Sequence, residues 1–598
     1  MKSCPVLAAL AIASVVTAHT GSARFRTAEA VHLRSPDCCA SFGGQAALQS
    51  GEAVAQQAPA VSEWLTWGYD QERSGWNRAE TTLSPENVSR LAVRWRTELP
   101  VPPREIALST LTAPLVAEGV TTAQGRRTLL FIVGSDDSVF AIDADSGKIV
   151  WHKSFPNTLT PPQMATWLCS NTQNATPVID KPKGIIYLNT SDGKLRGLSL
   201  GTGDERLTPT DFVTPFARNW SLNLIDDVIY SPSARGCGGA IANISAMDVS
   251  DPARPRLSRL YTSGGRPAGA WGRGGVVKGP KGIVAQTADG LYDPAAGIFG
   301  ETVMALAPKE LRIIDSFTPS NWKYLNSRDL DLGSSGPVVF PYEGRALVAT
   351  IAKEAVLYLL DSNALGGRDH STPLYQSPRL GNDDEMLGGR GVWGAIATAE
   401  DRQGRRVLYV PMWGPPSKSA PPFKFSDGEA AHGSIMAFQV AGDGDKLSLV
   451  PLWISRDMHV PDPPVVANGV VYAIATGENT VQNPGPGGDI RTDADPAAAG
   501  RAGGPGTPSG SAPPGTSGAG RGGRGGPAAA LAAAKLRATP ISNLVLYAFD
   551  AETGRQLYSS EKIIPGWVHY SEPVVAAGKV FVVTWDARVY AFGLGNRR

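Results

Sequence analysis

Leu129–Trp151 reads LLFIVGSDDSVFAIDADSGKIVW. An apolar run rich in β-branched residues comes first, then Asp143-Ala144-Asp145-Ser146-Gly147, then a short strand that ends on an aromatic residue. The physics is that of a hairpin. Asp143 can bond its own turn backbone, Gly147 can take a positive φ, and Trp151 has a large face to pack on a neighbouring unit. The pattern recurs at Leu544–Tyr558, LVLYAFDAETGRQLY, with Asp550, Gly554 and Tyr558 in the same places. Weaker copies run through Pro177–Leu200, Leu222–Val249, Ile283–Phe317, Pro337–Leu360, Gly394–Trp453, Pro464–Thr476 and Pro573–Leu594. Counted from Leu111 they make eight units, each a Pro-Val-Val/Ile hairpin followed by an Ala-x-Asp strand. Short strands bounded by turns at regular spacing predict an all-β repeat fold. Four strands in each of eight units predict an eight-bladed β-propeller, which leaves few exposed sheet edges. The last unit stops at Phe592 without an outer strand, and Leu91–Leu99 (LAVRWRTEL) has the form of the missing one. The ring is therefore expected to close by joining the two ends of the chain in one blade.

Composition agrees with this plan. The 598 residues include 67 Gly and 47 Pro, so turns are plentiful and long helices few. With 42% hydrophobic and 19% charged residues the chain can bury a core. A net charge of +1 excludes a broad basic surface, so nucleic acid is not an expected partner. Lys2 followed by the apolar run Val6–Val16 reads as a signal peptide over residues 1–23, and hence as export to a periplasmic or extracellular space. No stretch reaches the ~18 apolar residues of a membrane span. Residues 24–63 are expected to be a flexible leader and 64–598 the propeller. Residues 479–540, dominated by Gly, Pro, Ala and Arg, are expected to be a disordered insertion within one blade.

The familiar catalytic and cofactor motifs are largely absent. None of the five Cys lies in C-x-x-C-H or paired C-x-x-C, so neither c-type haem attachment nor a structural zinc site is expected. Cys169 and Cys237 would bridge in an oxidising compartment; the alternative is two separate buried thiols. Gly389-x-Gly391-x-x-Gly394 precedes a strand pattern and not a helix, so NAD is not expected. The seven His are scattered without metal-ligand spacing and read as surface or structural residues.

The repeats resemble those of the pyrroloquinoline quinone (PQQ) dehydrogenase family, whose motif is A-x-D-x-x-T/S-G-x-x-x-W. The opening Trp67-Gly68-Tyr69-Asp70…Leu83-Ser84-Pro85-Glu86-Asn87-Val88…Trp95 is similar to that family's segment before blade one. The resemblance implies PQQ and Ca²⁺ in the central channel and an alcohol, sugar or polyol as substrate. Asn326-Ser327-Arg328-Asp329-Leu330-Asp331-Leu332-Gly333 resembles the family's W-D-Y-D-G. That match makes Asp329 the candidate base and metal neighbour, and Asp331 a cofactor-site neighbour. Ala285-Gln286-Thr287-Ala288-Asp289-Gly290 resembles G-T-G-N and offers Asp289 to the metal. Ala349–Asp361 resembles N-K/R-x-G-x-x-Y-x-L-D, which gives Lys353 to the quinone. Gly391-Val392-Trp393-Gly394 resembles N-W-x-P, so Trp393 is a candidate cofactor contact, and Trp271 a candidate stacking floor. A hard cation wants such oxygen ligands, and a flat tricarboxylate wants cations and aromatic faces.

This chain departs from the family at several points. The adjacent pair Cys38-Cys39 lies in the leader and not in the propeller, Val392 replaces an Asn, and no Glu is evident as metal ligand. Residues 167–174 offer amides where that Glu is expected. The fused cytochrome is also missing, so an external electron acceptor is implied. These departures keep open a second reading, a non-catalytic envelope propeller with a protein partner, similar to outer-membrane assembly lipoproteins.

Overall fold

The computed structural model describes residues 62–595, apart from 104–108, 163–168, 174, 235, 265–268, 271, 386–389, 445 and 479–538. The expected signal peptide, most of the leader and nearly all of the Gly-rich insertion lie outside the described residues. The propeller begins slightly earlier than its expected start at 64. Ser62 is buried, its backbone N–H donates to Glu118 at 3.1 Å and its hydroxyl to Glu80 at 3.0 Å.

Each of the eight blades has four antiparallel strands, and short added pairings at Gly391–Val392, Phe425–Ser426 and Trp76–Asn77 widen the sheets of blades six and seven. Blade one comprises Leu115–Thr122, Gly125–Val133, Ser138–Asp143 and Ile149–Ser154. Blades two to seven follow within 178–211, 223–261, 277–317, 338–376, 397–454 and 465–559. Blade eight takes three strands from 574–594 and its outer strand from Leu91–Glu98, which pairs antiparallel with Arg588–Leu594 from Leu91↔Leu594 to Glu98↔Arg588. The ring closes as the sequence predicts. Alternation within the strands buries one face of each blade against the next. Separate apolar clusters join blades two and three, three and four, four and five, five and six, and six and seven. One larger cluster runs from blade seven through eight and one to two.

The aromatic residue that ends a repeat docks on the turn of the next blade. The Trp95 indole donates to the Ala144 carbonyl at 3.0 Å, Trp151 to Leu200 at 2.9 Å and Trp453 to Ala551 at 3.0 Å. Each ring covers the turn glycine that follows. A Cβ on Gly147, Gly203 or Gly554 would lie 2.5–2.7 Å from the indole, and each of these glycines has φ +72.

Ahead of blade one, residues 62–77 make one circuit of the inner wall. Ser62 O accepts from Ala577 of blade eight, and Trp64 bridges Val116 of blade one. Leu65 O accepts from Ile179 of blade two, and the Gln71 side chain donates to Leu224 of blade three. Gln71 O, Glu72 O, Ser74 O and Gly75 O accept from Lys278, Val339, Thr398 and Val466 of blades four to seven. Asn77 returns to blade eight, donating to Val575 O at 2.8 Å. The innermost strand of each blade has an unpaired edge, and this segment satisfies part of that edge in every blade. Arg73, buried inside the circuit, donates to the carbonyls of Gly274 and Leu222, both at 2.9 Å. Trp67 packs with Ala113 before blade one and Ala395 before blade six, which puts its indole near the propeller axis.

Candidate functional site

In an antiparallel blade, the connections from strand two to three and from one blade to the next emerge at the same end. Every candidate residue falls on such a connection. Asp289 lies between the second and third strands of blade four and Lys353 between those of blade five. Asp329 and Asp331 lie between blades four and five, and Trp393 between five and six. Trp271, between blades three and four, lies outside the described residues.

The α-helix Trp322–Arg328 presents the acidic pair. Asp329 caps its C-terminus in the left-handed conformation, φ 57 and ψ 38, which a short polar side chain tolerates. Two residues on, Asp331 is buried and Asp329 remains partly exposed, with 43% of its side chain accessible. Lys353 joins them. Its ammonium donates to Asp331 Oδ2 at 2.5 Å and to the Asp329 carbonyl at 3.0 Å, and lies 3.5 Å from Asp329 Oδ1. Its backbone is fixed on several sides. Lys353 N donates to Ser334 Oγ at 3.1 Å, and Asn382 donates to Lys353 O at 2.6 Å. Gly391 packs so close that a Cβ there would meet Lys353 O at 2.3 Å. The glycine motif around Gly391 thus serves packing against Lys353. The ammonium lies 4.5 Å from the Trp393 ring centre, and Trp393 stacks on Trp413 at 5.4 Å and 11°.

A residue that the sequence reading missed belongs to the same site. Glu301, fully buried just before the third strand of blade four, accepts from Leu332 N at 2.6 Å. Its other oxygen, Oε1, has no hydrogen-bond partner among the described residues, and neither has Asp331 Oδ1. Burial pushes Glu301 well above the usual carboxylate range, and the charges of Asp331 and Asp289 push it further, against Leu332 N–H and Lys353. Burial also raises Asp331; Lys353 pulls it back and Asp329 adds to the rise. Desolvation works against the Lys353 ammonium, but Asp331 and Asp329 outweigh it and hold Lys353 above its usual value. Four carboxyl groups therefore share the field of one lysine. Buried carboxyl oxygens left without hydrogen-bond partners are donors of the kind a hard cation takes. Asp289 and Asp329, the expected metal pair, do not form a three-ligand cluster with the other carboxylates; the charged group against Asp329 is Lys353.

Beyond Trp413 the wall continues through Tyr570, at 6.5 Å ring to ring, to Arg273, whose guanidinium lies 4.6 Å from the Tyr570 ring and 5.8 Å from Trp220. Arg273 and Arg218 line a cavity of ≈ 20 Å³ with Asn171, Thr172 and Gln173, beside the disulfide Cys169–Cys237. The amide stretch thus sits beside two arginines. The bridge forms, with Cα atoms 5.1 Å apart, and ties the blade one–two connection to blade three.

The pattern of the family described as outer membrane protein assembly factor BamB matches residues 87–234. No curated protein matches the sequence. Europium-containing methanol dehydrogenase superposes with a TM-score of 0.55 at 12% identity, covering 90% of this chain and 99% of that one. The quinohemoprotein alcohol dehydrogenase of Comamonas testosteroni gives 0.54 at 14%, covering 90% and 82%. Quinohemoprotein alcohol dehydrogenase ADHIIG of Pseudomonas putida HK5 gives 0.53 at 13%, covering 90% and 81%. The likeness is one of fold: this chain is an eight-bladed β-propeller built like these alcohol dehydrogenases.

Proposed function

We propose that the protein is an exported quinoprotein oxidoreductase that takes PQQ and Ca²⁺ at this face and oxidises an alcohol, sugar or polyol. The observation that carries the reading is Lys353 held between Asp329 and Asp331, with the Glu301 and Asp289 carboxyls close enough to share its field. PQQ with Ca²⁺ would supply the two-electron acceptor for the carbinol hydrogen. Asp329, half exposed beside a fixed ammonium, accepts the substrate hydroxyl proton. Lys353 orients both aspartates and presents a permanent positive charge toward an electron-poor, anionic ligand. Glu301 and Asp331 offer oxygens to the cation, with Asp289 at its margin. The Trp393–Trp413–Tyr570 stack offers aromatic faces. The electrons then leave to an external acceptor. Export is supported by the apolar run Val6–Val16 and by the Cys169–Cys237 bridge, which persists in oxidising compartments. Among the described residues no helix is long and apolar enough to cross a membrane.

The match of residues 87–234 to an assembly factor favours a second reading, a cofactor-free propeller that binds an envelope protein. Titration of the protein lacking residues 1–23 with PQQ and Ca²⁺, followed by tryptophan fluorescence, separates the two. Saturable quenching that is lost in Asp329→Asn or Lys353→Met is the expected result. No quenching up to about 100 μM, weaker than about −5.5 kcal/mol, would select the second reading.

A further inference from the structure

The structure brings together two of the histidines that the sequence reading set aside. His432 immediately precedes the third strand of blade six, Gly433–Ala441, and His459 lies in the connection from blade six to seven. Their rings stack at 4.0 Å and 26°. Asp457 lies beside them. It accepts from His432 N at 2.7 Å through one oxygen and contacts His432 Nδ1 at 2.6 Å through the other. Asp457 and His459 stand two residues apart on the same connection. The backbone holds this arrangement from both flanks. Met458 N donates to Gly433 O at 2.9 Å, Gly414 N to His432 O at 2.9 Å and Thr476 N to His459 O at 3.0 Å.

We propose that His432, Asp457 and His459 form a mononuclear site for a divalent transition metal, on the same face as Lys353 but separate from the carboxylate site. Ligand atoms from the three side chains all lie within 4.8 Å of one another, and they are the one such group among the described residues. Tetrahedral bonds of about 2.0–2.2 Å require ligand atoms about 3.3–3.6 Å apart, which small side-chain rotations supply. A loop clamp is complete with His432 and Asp457 alone; His459 brings a second imidazole into the same reach. Two imidazoles and one carboxylate select Zn²⁺, Co²⁺, Ni²⁺ or Cu²⁺ over Ca²⁺ and Mg²⁺, which favour all-oxygen sets. All three residues are half-buried, so a bound ion keeps at least one position for water or an exogenous ligand.

The test uses untagged protein stripped with chelator and titrated with Co²⁺, read by its visible absorption, with Zn²⁺ as competitor. One equivalent is expected. His432→Gln and His459→Gln should each weaken binding at least 100-fold, and Asp457→Asn, which keeps an acceptor for His432, about tenfold. Zn²⁺ should also raise the unfolding temperature of the parent and not of the His432→Gln/His459→Gln protein, whose metal-free unfolding temperature reports that it folds. Absence of Co²⁺ absorption up to 1 mM would overturn the site. So would one equivalent bound equally tightly by the double variant.

Discussion

Lys353 is an ammonium almost shielded from water, with 4% of its side chain accessible and Asp331 equally buried beside it. Removing one partner of such a pair leaves the other charged and desolvated. Lys353→Met is therefore expected to cost about 3–5 kcal/mol of stability, read from the urea midpoint, and Lys353→Met/Asp331→Leu to recover most of it. If the double variant is no more stable than the single, the ion pair is not what Lys353 contributes. A second buried carboxyl gives a pH effect elsewhere on the ring. Asp137 accepts from Ser191 N at 3.0 Å across the blade one–two interface, and burial pushes it up to about 7. Its folded value lies above its unfolded one, so between about pH 4 and 7 the native state holds a proton that the unfolded state has lost. Stability from this group falls as pH rises through that window. Asp137→Asn should flatten the decline, and its unfolding temperature should gain on the parent from pH 5 to pH 8. At this scale the sequence was partly legible. Asp329, Asp331 and Lys353 stand in short motifs whose chemistry is local. Glu301 stands in no motif, and only the shared end of two kinds of connection delivers it beneath Leu332. His432 and His459 are 27 residues apart in the chain and meet for the same reason.

The blade is legible where its repeat carries both the Asp-x-x-x-Gly turn and the closing tryptophan. Both halves of that motif meet across an interface, indole of one blade on turn of the next. Gly147→Ala would place a methyl 2.7 Å from the Trp95 ring and force a positive φ on an alanine, at an expected cost of about 2 kcal/mol. Trp453→Phe should keep the ring packing on Gly554 and lose the N–H bond to Ala551, costing about 1 kcal/mol. Thermal unfolding of the two variants, ranked in that order, checks the account. The copies in blades three to five are weaker because their interfaces mix aliphatic residues with aromatics such as Phe317 and Tyr358 that do not stand at the closing position of the repeat. The helix Trp322–Arg328 was not anticipated: seven residues inside a connection carry too little periodicity to be read, yet they set the backbone of Asp329.

At the scale of the molecule, the ring and its closure follow from counting repeats, but the path of residues 62–77 does not. No repeat encodes it, since most of its hydrogen bonds come from backbone, with the side chains of Gln71 and Asn77 reaching blades three and eight. A protein beginning at residue 62 should fold and bind as the longer chain does. One beginning at residue 78 keeps every blade strand and loses every one of these contacts, and is expected to show early protease cleavage in several blades together. Cleavage confined to blade eight, where the chain ends meet, would contradict this role.

The circuit also fixes when the protein can become itself. The segment is synthesised before any blade, yet its partners are spread from residue 116 to residue 577, close to the C-terminus. Each contact closes a longer loop than the one before, and such non-local closure is slow. A nascent chain stalled at residue 570 should remain fully sensitive to protease. The segment is wholly satisfied only when residues 575–577 have been made, so closure of the ring waits for the end of translation.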